Sequence, residues 1–303
     1  MVLESLLNPK NAKNEPLEIF IVAVVYSLLA VVFSYSLFPN QSSILTIAFI
    51  TILFVPFFQK VFEIEEHEED EYIEHKKDME NEMLLSRHKK IITSYSAFFL
   101  GVVFTLTVVF ILFPQFGEVF NLQISNMPSA NVVGPSSFST FEETFNMYLL
   151  NNTRVLFLCF AFSVLFGTGA VLILSWNASI ISVFLGIKFI HPLIEKGTSV
   201  LPAFAHGFSR GFLVIALHGI PEILAYFIAG IGGGILSVGI IREKIGTDDF
   251  NNIIMDAFKF IIIAESLIIL AAVLETIRFS FVVNIVLVLF EVGLILAFVW
   301  GVK

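Results

Sequence analysis

The sequence predicts an all-α fold, a polytopic transmembrane helical bundle with about eight crossings and one re-entrant or interfacial segment. Hydrophobic residues make up 57% of the 303 residues and charged residues only 14%, and the mean hydropathy is +0.89. The apolar residues, among them 35 phenylalanines, recur in runs of about 20 residues, the length of helix that crosses a bilayer. This composition excludes an ordinary soluble domain.

The first apolar run begins near Glu18 and continues to about Pro39 without a small-residue cleavage site, so we expect a retained helix and not a signal peptide. Most lysines and arginines can be placed on one side of the membrane, which predicts a cell-membrane protein with both termini in the cytoplasm. The segment 114–153 has neither lysine nor arginine and is predicted to lie outside. The candidate spans are 18–38, 44–62, 91–113, 154–176, 177–195, 204–219, 220–241, 257–276 and 279–300.

Two of these spans cannot both cross. If 177–195 and 204–219 each crossed the membrane, Arg242 would be exported, against the preference of basic residues for the cytoplasmic side. A lysine interrupts the first of these segments, and a histidine and an arginine interrupt the second. We therefore expect one of the two, without deciding which, to be re-entrant or interfacial.

The chain divides into four predicted regions. An N-terminal transmembrane hairpin (1–62) is followed by an acidic cytoplasmic linker helix (63–90), a transmembrane core (91–245) and a C-terminal transmembrane hairpin (246–303). The net charge of -9 arises in the linker, and no basic patch supports nucleic-acid binding. We expect partners to be the lipid bilayer and membrane or soluble proteins, which would bind the linker and segment 114–153. A homo-oligomer is compatible with the sequence.

Neither a metal nor a cofactor is predicted. His67, Glu71 and His75 share one stripe of the linker helix and could bind a divalent metal, but a solvated charged linker explains them better. The lone Cys159 lies in a span and supports no disulfide framework. The second half of segment 114–153 has helical spacing of its apolar residues and is predicted to be an amphipathic helix at the outer membrane surface.

The most informative polar residues lie in the apolar stretch from Phe204 to Ile241. Glycine followed by proline predicts that one helix stops at Gly219 and another begins at Pro221, with Glu222 in its first turn and near its outer end. A structural or assembly role is favoured for this motif. The alternative is a buried polar cluster for an ion, a proton relay or a headgroup. The candidate residues of this core are His206, Arg210, His218, Gly219, Pro221 and Glu222.

Further polar and small residues extend this prediction. Asn151, Asn152 and Asn177 flank the fourth span, whereas Glu265 and Glu291 interrupt the last spans and are secondary candidates. Glu275 and Arg278 are predicted to pair at the membrane interface. Small residues four apart after the proline predict a face on which helices pack closely, within the subunit more readily than between subunits. These small residues are Ala225, Ala229, Gly230, Gly233 and Gly234.

Taken in order, these residues resemble the stage II sporulation protein M family of integral membrane proteins. The resemblance covers roughly residues 90–245. It rests on the pair Asn151-Asn152, a glycine-bearing span, Asn177, and His218-Gly219-x-Pro221-Glu222 with the small residues after it. The family usually has Asn-Gly where this chain has Asn177-Ala178.

The resemblance implies a non-enzymatic membrane component, because the bacterial namesake is similar to a scaffold that localises cell-wall hydrolases. Our first hypothesis is therefore a scaffold or membrane-remodelling and complex-assembly subunit. The alternative is a small-molecule or ion transporter that uses the intramembrane His, Glu and Arg residues. An intramembrane hydrolase ranks third, since no serine or aspartate pair and no zinc signature stands out.

Overall fold

A computed structural model describes residues 15–75, 88–127, 140–242, 246–277 and 281–301. Within these ranges all regular structure is helical, and no strand occurs. The predicted all-α polytopic bundle is therefore confirmed. The linker stripe of His67, Glu71 and His75 lies outside the residues whose side chains the structure describes.

Ten α-helices and three short 3-10 or π-helical segments are present in the described ranges. A π-helical turn, Gly186–Ile190, joins the helix that ends at Leu185 to the helix that begins at His191, and a 3-10 segment, Pro114–Phe120, leads into the helix that begins at Asn121. The helices are α1 Pro16–Leu37, α2 Ser42–His75, α3 Lys89–Leu112, α4 Asn121–Asn126, α5 Phe141–Phe166, α6 Ala170–Leu185, α7 His191–Glu195, α8 Val200–Arg242, α9 Asp248–Ile277 and α10 Phe281–Gly301.

Seven helical segments of the described chain are long and apolar enough to cross a membrane. A shorter apolar stretch, Val283–Ile295, lies within α10. The protein is thus a multi-pass membrane protein. The seven segments are Pro16–Leu37, Pro39–Ile64, Lys89–Leu112, Phe141–Phe166, Ala170–Glu195, Val200–Arg242 and Phe250–Ile277.

Helix α5 differs from the predicted boundaries, because the expected surface helix and the first part of the expected span 154–176, as far as Phe166, form one continuous helix. Its start is fixed by a capping box: the Glu143 amide donates to Thr140 Oγ1 at 3.2 Å, and the Thr140 amide donates to Glu143 Oε2 at 2.9 Å. Its end is fixed by Gly167, whose φ of +73° terminates the helix. The next span therefore begins at Ala170, not at 177.

Helix α8 is the second difference. It runs without interruption for 43 residues, about 65 Å at 1.5 Å per residue, so the predicted segments 204–219 and 220–241 are one helix. Pro221 lies inside it and lacks the amide that would bond to the Leu217 carbonyl. Transmembrane helices tolerate such a proline when neighbouring helices or local adjustments of the backbone satisfy the freed carbonyl group. The actual break before α8 is at Gly197, with a φ of +88°.

The helices as observed also keep Lys89 and Arg242 on one side of the membrane, and they do so without a re-entrant segment. With α6 and α7 as one crossing and α8 as another, four apolar helical segments separate Lys89 from Arg242, and this even number places the two residues on the same side. The orientation of that side towards the cytoplasm stays a prediction.

The core of the bundle surrounds the second half of α8. Every residue from Ala225 to Gly234 is buried, and α8 packs mainly against α5 and α9. Helix α9 runs antiparallel to α8, because Gly239 lies beside Ile253 and Gly232 lies beside Phe260. This packing places the centre of α8 in the middle of the molecule.

Candidate functional site

The His218 to Glu222 motif lies at the midpoint of α8. Helix α8 extends 21 residues before Pro221 and 21 residues after it, since it spans Val200–Arg242. The predicted position of Glu222 in the first turn of a helix is therefore wrong. The positive end of the α8 dipole is at Val200, too far away to stabilise the Glu222 carboxylate.

Tyr226 is the hydrogen-bond partner of Glu222. Its hydroxyl donates a hydrogen bond of 2.8 Å to Glu222 Oε1, four residues earlier on the same helix face. Tyr226 itself has no exposed surface. The sequence prediction missed this residue, although a tyrosine four positions after a glutamate in an apolar helix was a usable signal.

His218 faces α9. Its Nε2 atom lies 4.0 Å from Glu275 Oε1, with the two side chains 22% and 24% exposed. This separation exceeds a hydrogen bond but brings an imidazole and a carboxylate together at the α8–α9 interface. The prediction had paired Glu275 with Arg278, which lies outside the described residues.

A second polar contact joins α9 to α5. Thr153 Oγ1 donates a hydrogen bond of 2.7 Å to Glu265 Oε1. The other carboxyl oxygen, Glu265 Oε2, is buried without a hydrogen-bond partner among the described residues. The preceding residues also interact, since Asn151 Nδ2 donates to Asn152 Oδ1 at 3.0 Å. Asn152 is 4% exposed, and its Nδ2 has no acceptor in the described part of the chain.

The two contacts lie at different positions along the axis of α9. Glu265 and Glu275 are ten residues apart on α9, about 15 Å along the helix axis. The first brings the imidazole of His218 on α8 close to Glu275, and the second is a hydrogen bond that joins α9 to α5. Helix α9 is therefore connected by polar side chains to both of its main neighbours.

The remaining predicted candidates do not join this group. His206 and Arg210 are exposed in the first part of α8, 12 and 8 residues before His218, or about 18 and 12 Å along the axis. Asn177 donates to the Ile173 carbonyl of its own helix at 2.8 Å. Glu291 lies on α10 and leaves one buried carboxyl oxygen without a partner among the described residues. The predicted core is thus dispersed along α8 and its neighbours.

The small-residue face after Pro221 is used inside the subunit. A Cβ atom added at Gly230 would lie 2.7 Å from Ala170 Cβ, and one added at Gly233 would lie 2.8 Å from Ser163 Cβ. One added at Gly234 would lie 3.0 Å from the Gly167 carbonyl oxygen. These glycines allow α5, α6 and their connecting turn to approach the α8 backbone closely.

The polar residues border a cavity but do not line it. A groove of about 550 Å³ runs along the face of α8 that carries Gly219, Ile220 and Ile223, between α3 and α10. His218 and Glu222 are not among its walls. In the described residues no group of three or more His, Cys, Asp or Glu side chains could hold a metal ion. His218, Thr153 and Glu265 therefore face neighbouring helices and not this groove.

Comparison with known proteins agrees with the helical core. No curated protein and no solved structure matches the chain. A model of the family described as "Stage II sporulation protein M" matches residues 114–278. The match includes α5 to α9 and all polar contacts described above, and it extends beyond the predicted limit of 245 to include Glu265 and Glu275. It covers more than half of the 303 residues, and the chain belongs to the stage II sporulation protein M family.

Proposed function

We propose that this protein is a non-enzymatic scaffold or complex-assembly subunit of the membrane. The observation that supports it is the use made of the intramembrane polar residues. Thr153 bonds to Glu265 between α5 and α9, and His218 lies 4.0 Å from Glu275 between α8 and α9. Polar contacts of this kind hold transmembrane helices in one arrangement. A rigid bundle is the property that a scaffold requires.

The partner surfaces in this proposal are the parts of the chain outside the bundle core. The acidic linker 63–90 carries the negative charge and would attract a basic partner. Segment 114–153 would bind a partner on the opposite side. Its first part forms the 3-10 segment and α4, anchored by Ser43, whose hydroxyl donates to the Glu118 carbonyl at 2.9 Å.

Affinity purification in a mild detergent tests the proposal. The full chain is expected to retain specific proteins, and deletion of 63–82 or of 128–139 is expected to lose a different subset in each case. A control in which Lys60→Gln removes an exposed ion pair with Glu63 should retain them all. Recovery of the same proteins with both deletions, or of none with the full chain, would contradict a scaffold.

Transport is the second candidate, and one observation favours it. Glu265 is a carboxyl group at membrane depth with one buried oxygen left without a partner among the described residues, and such groups mark ion pathways in transporters. Flux of protons or alkali cations into proteoliposomes of the full chain would be compared with that of Glu265→Gln, Glu222→Gln and His218→Ala. Equal flux in all four would remove this candidate.

A further inference from the structure

The groove along α8 has a polar end and apolar walls. Its walls come from α3, α8 and α10 with one residue, Ile181, from α6, and all but a few of its residues are aliphatic or aromatic. Lys89 lies at the start of α3, and the wall of α3 continues through Thr93 and Ser96 to Val103. The hydroxyls of Thr93 and Ser96 bond to carbonyls of their own helix. The charged group that the groove offers a ligand is therefore the Lys89 ammonium.

The dimensions fit one lipid chain. From Lys89 to Val103 the α3 wall is about 21 Å long, whereas one leaflet of the hydrocarbon core is about 15 Å thick. An acyl chain that enters beside Lys89 can lie along this wall over its whole length. Leu100 and Leu294 line the groove and are 42% and 56% exposed, so the groove is open to the surrounding bilayer.

The charge at one end selects the headgroup. Lys89 has no carboxylate partner among the described residues, and it lies in the first turn of α3, where the helix dipole favours an anion. Lipid tails are as apolar as the groove walls, so the walls alone cannot distinguish one lipid from another. Discrimination must come from the ammonium group.

We propose that the groove between α3, α8 and α10 binds one acyl chain of an anionic phospholipid, whose phosphate contacts Lys89. Gly219 has a direct part in this site. A Cβ atom added there would meet nothing within 4 Å, because the position opens into the groove. The glycine of the His-Gly-x-Pro-Glu motif thus leaves room for the lipid chain and does not mark a helix break. This site is independent of the scaffold proposal.

Photolabelling of the full chain in phosphatidylcholine proteoliposomes tests the site. The probes are phosphatidylglycerol and phosphatidylcholine that carry the same diazirine-bearing acyl chain, and labelled peptides are quantified by mass spectrometry. Peptides from 89–103 and 212–228 should be labelled about fivefold more by the anionic probe, the ratio expected from one lysine near the headgroups. A second groove of about 320 Å³, lined by apolar side chains of α1 and α2, should be labelled equally by both probes.

Matched variants test the contact with the headgroup and the space for the acyl chain separately. Lys89→Gln should bring the headgroup ratio close to one, whereas Lys60→Gln, which removes an exposed lysine paired with Glu63, should leave it unchanged. Gly219→Leu should reduce labelling by both probes, since its side chain fills free space, and Gly219→Ala should retain most of it. Monodisperse elution and an unchanged helical circular dichroism signal verify folding.

Four results would overturn the proposal. A wild-type ratio near one, or a ratio that Lys89→Gln leaves unchanged, means that the groove holds only bulk lipid. Labelling that is the same in Gly219→Leu and in the wild type places the lipid elsewhere. A smaller molecular mass of Gly219→Leu in detergent, compared with the wild type, shows that a second copy of the chain occupies the groove.

Discussion

Tyr226 donates a hydrogen bond of 2.8 Å to Glu222, one turn earlier on α8, and it does so from a position with no exposed surface. Proline precedes this glutamate, so the Glu222 amide lies in the part of α8 where the regular hydrogen-bond ladder is interrupted. The pair therefore supports the helix next to its weakest point. The hydrogen bond also gives the buried tyrosine hydroxyl an acceptor, which it would otherwise lack because no water reaches it.

Replacing Tyr226 by phenylalanine should lower the stability of the bundle by about 1 kcal/mol, because the Glu222 carboxyl group loses its donor. Thermal unfolding in detergent, followed by circular dichroism, measures the effect. Tyr35→Phe is the control, since it removes a hydroxyl from a tyrosine that packs edge-on against Phe116. A Tyr226→Phe protein as stable as the control would show that the bond contributes nothing.

The contact between Thr153 and Glu265 should couple α5 to α9. Thr153→Ala is expected to destabilise the protein, whereas Thr153→Ser, which keeps the donor hydroxyl, should have a smaller effect. In a double-mutant cycle with Glu265→Leu, which removes the acceptor, the coupling energy should be about 0.6 kcal/mol and at most about 1.7, the range found for transmembrane helix contacts. Amide hydrogen exchange should show faster opening of α9 in Thr153→Ala. Additive single and double variants would contradict a direct contact.

Two glycines of α8 should respond in opposite ways to alanine. Gly233→Ala places a methyl group 2.8 Å from Ser163 Cβ, so helices α5 and α8 must separate and the melting temperature should fall. Gly219→Ala meets open space and gains about 1 kcal/mol of helix propensity, so the melting temperature should rise. Both variants change the same residue type in the same helix, and a fall in both would mean that Gly219 is also closely packed.

Pro221 should tolerate alanine, because α8 is already helical on both sides of it. Pro221→Ala restores the amide donor for the Leu217 carbonyl, which offsets the loss of buried ring contacts, so the melting temperature should stay constant or rise. Gly197→Ala should lower it, since alanine is strained at a φ of +88°. A protein more damaged by Pro221→Ala than by Gly197→Ala would place the helix break where the motif first suggested it.

The sequence predicted the class of fold because hydrophobic run length is set by the thickness of the bilayer. It failed at boundaries where helices are continued or ended by tertiary contacts. Gly167 and Gly169 lie in a sequence as apolar as any span, yet Gly167 adopts a positive φ and ends α5. Pro221 has the local signature of a helix start, yet α8 continues through it, as transmembrane helices can where neighbouring groups satisfy the freed backbone.

The polar residues of the candidate site could be predicted from the sequence, but the partners that they contact could not. Intramembrane His218, Glu222 and Glu265 are conspicuous in an apolar sequence. Their hydrogen-bond partners Tyr226 and Thr153 are not conspicuous, because tyrosine and threonine are ordinary residue types in such helices. The antiparallel register of α8 and α9, which brings His218 to Glu275, depends on packing over the whole helix pair. The spacing of residues in the sequence carries no information on this register.

The continuous α8 makes a direct prediction about topology. If α8 crosses the membrane once, the turn before it and the start of α9 lie on opposite sides. Cysteines introduced at the exposed positions Ser199 and Asn251 should therefore react with a membrane-impermeant maleimide from opposite sides of oriented membrane vesicles. The native Cys159 is fully buried and should give little background. Reaction of both cysteines from the same side would require a second crossing or a re-entrant segment between 200 and 242, and α8 would then not be a single transmembrane helix.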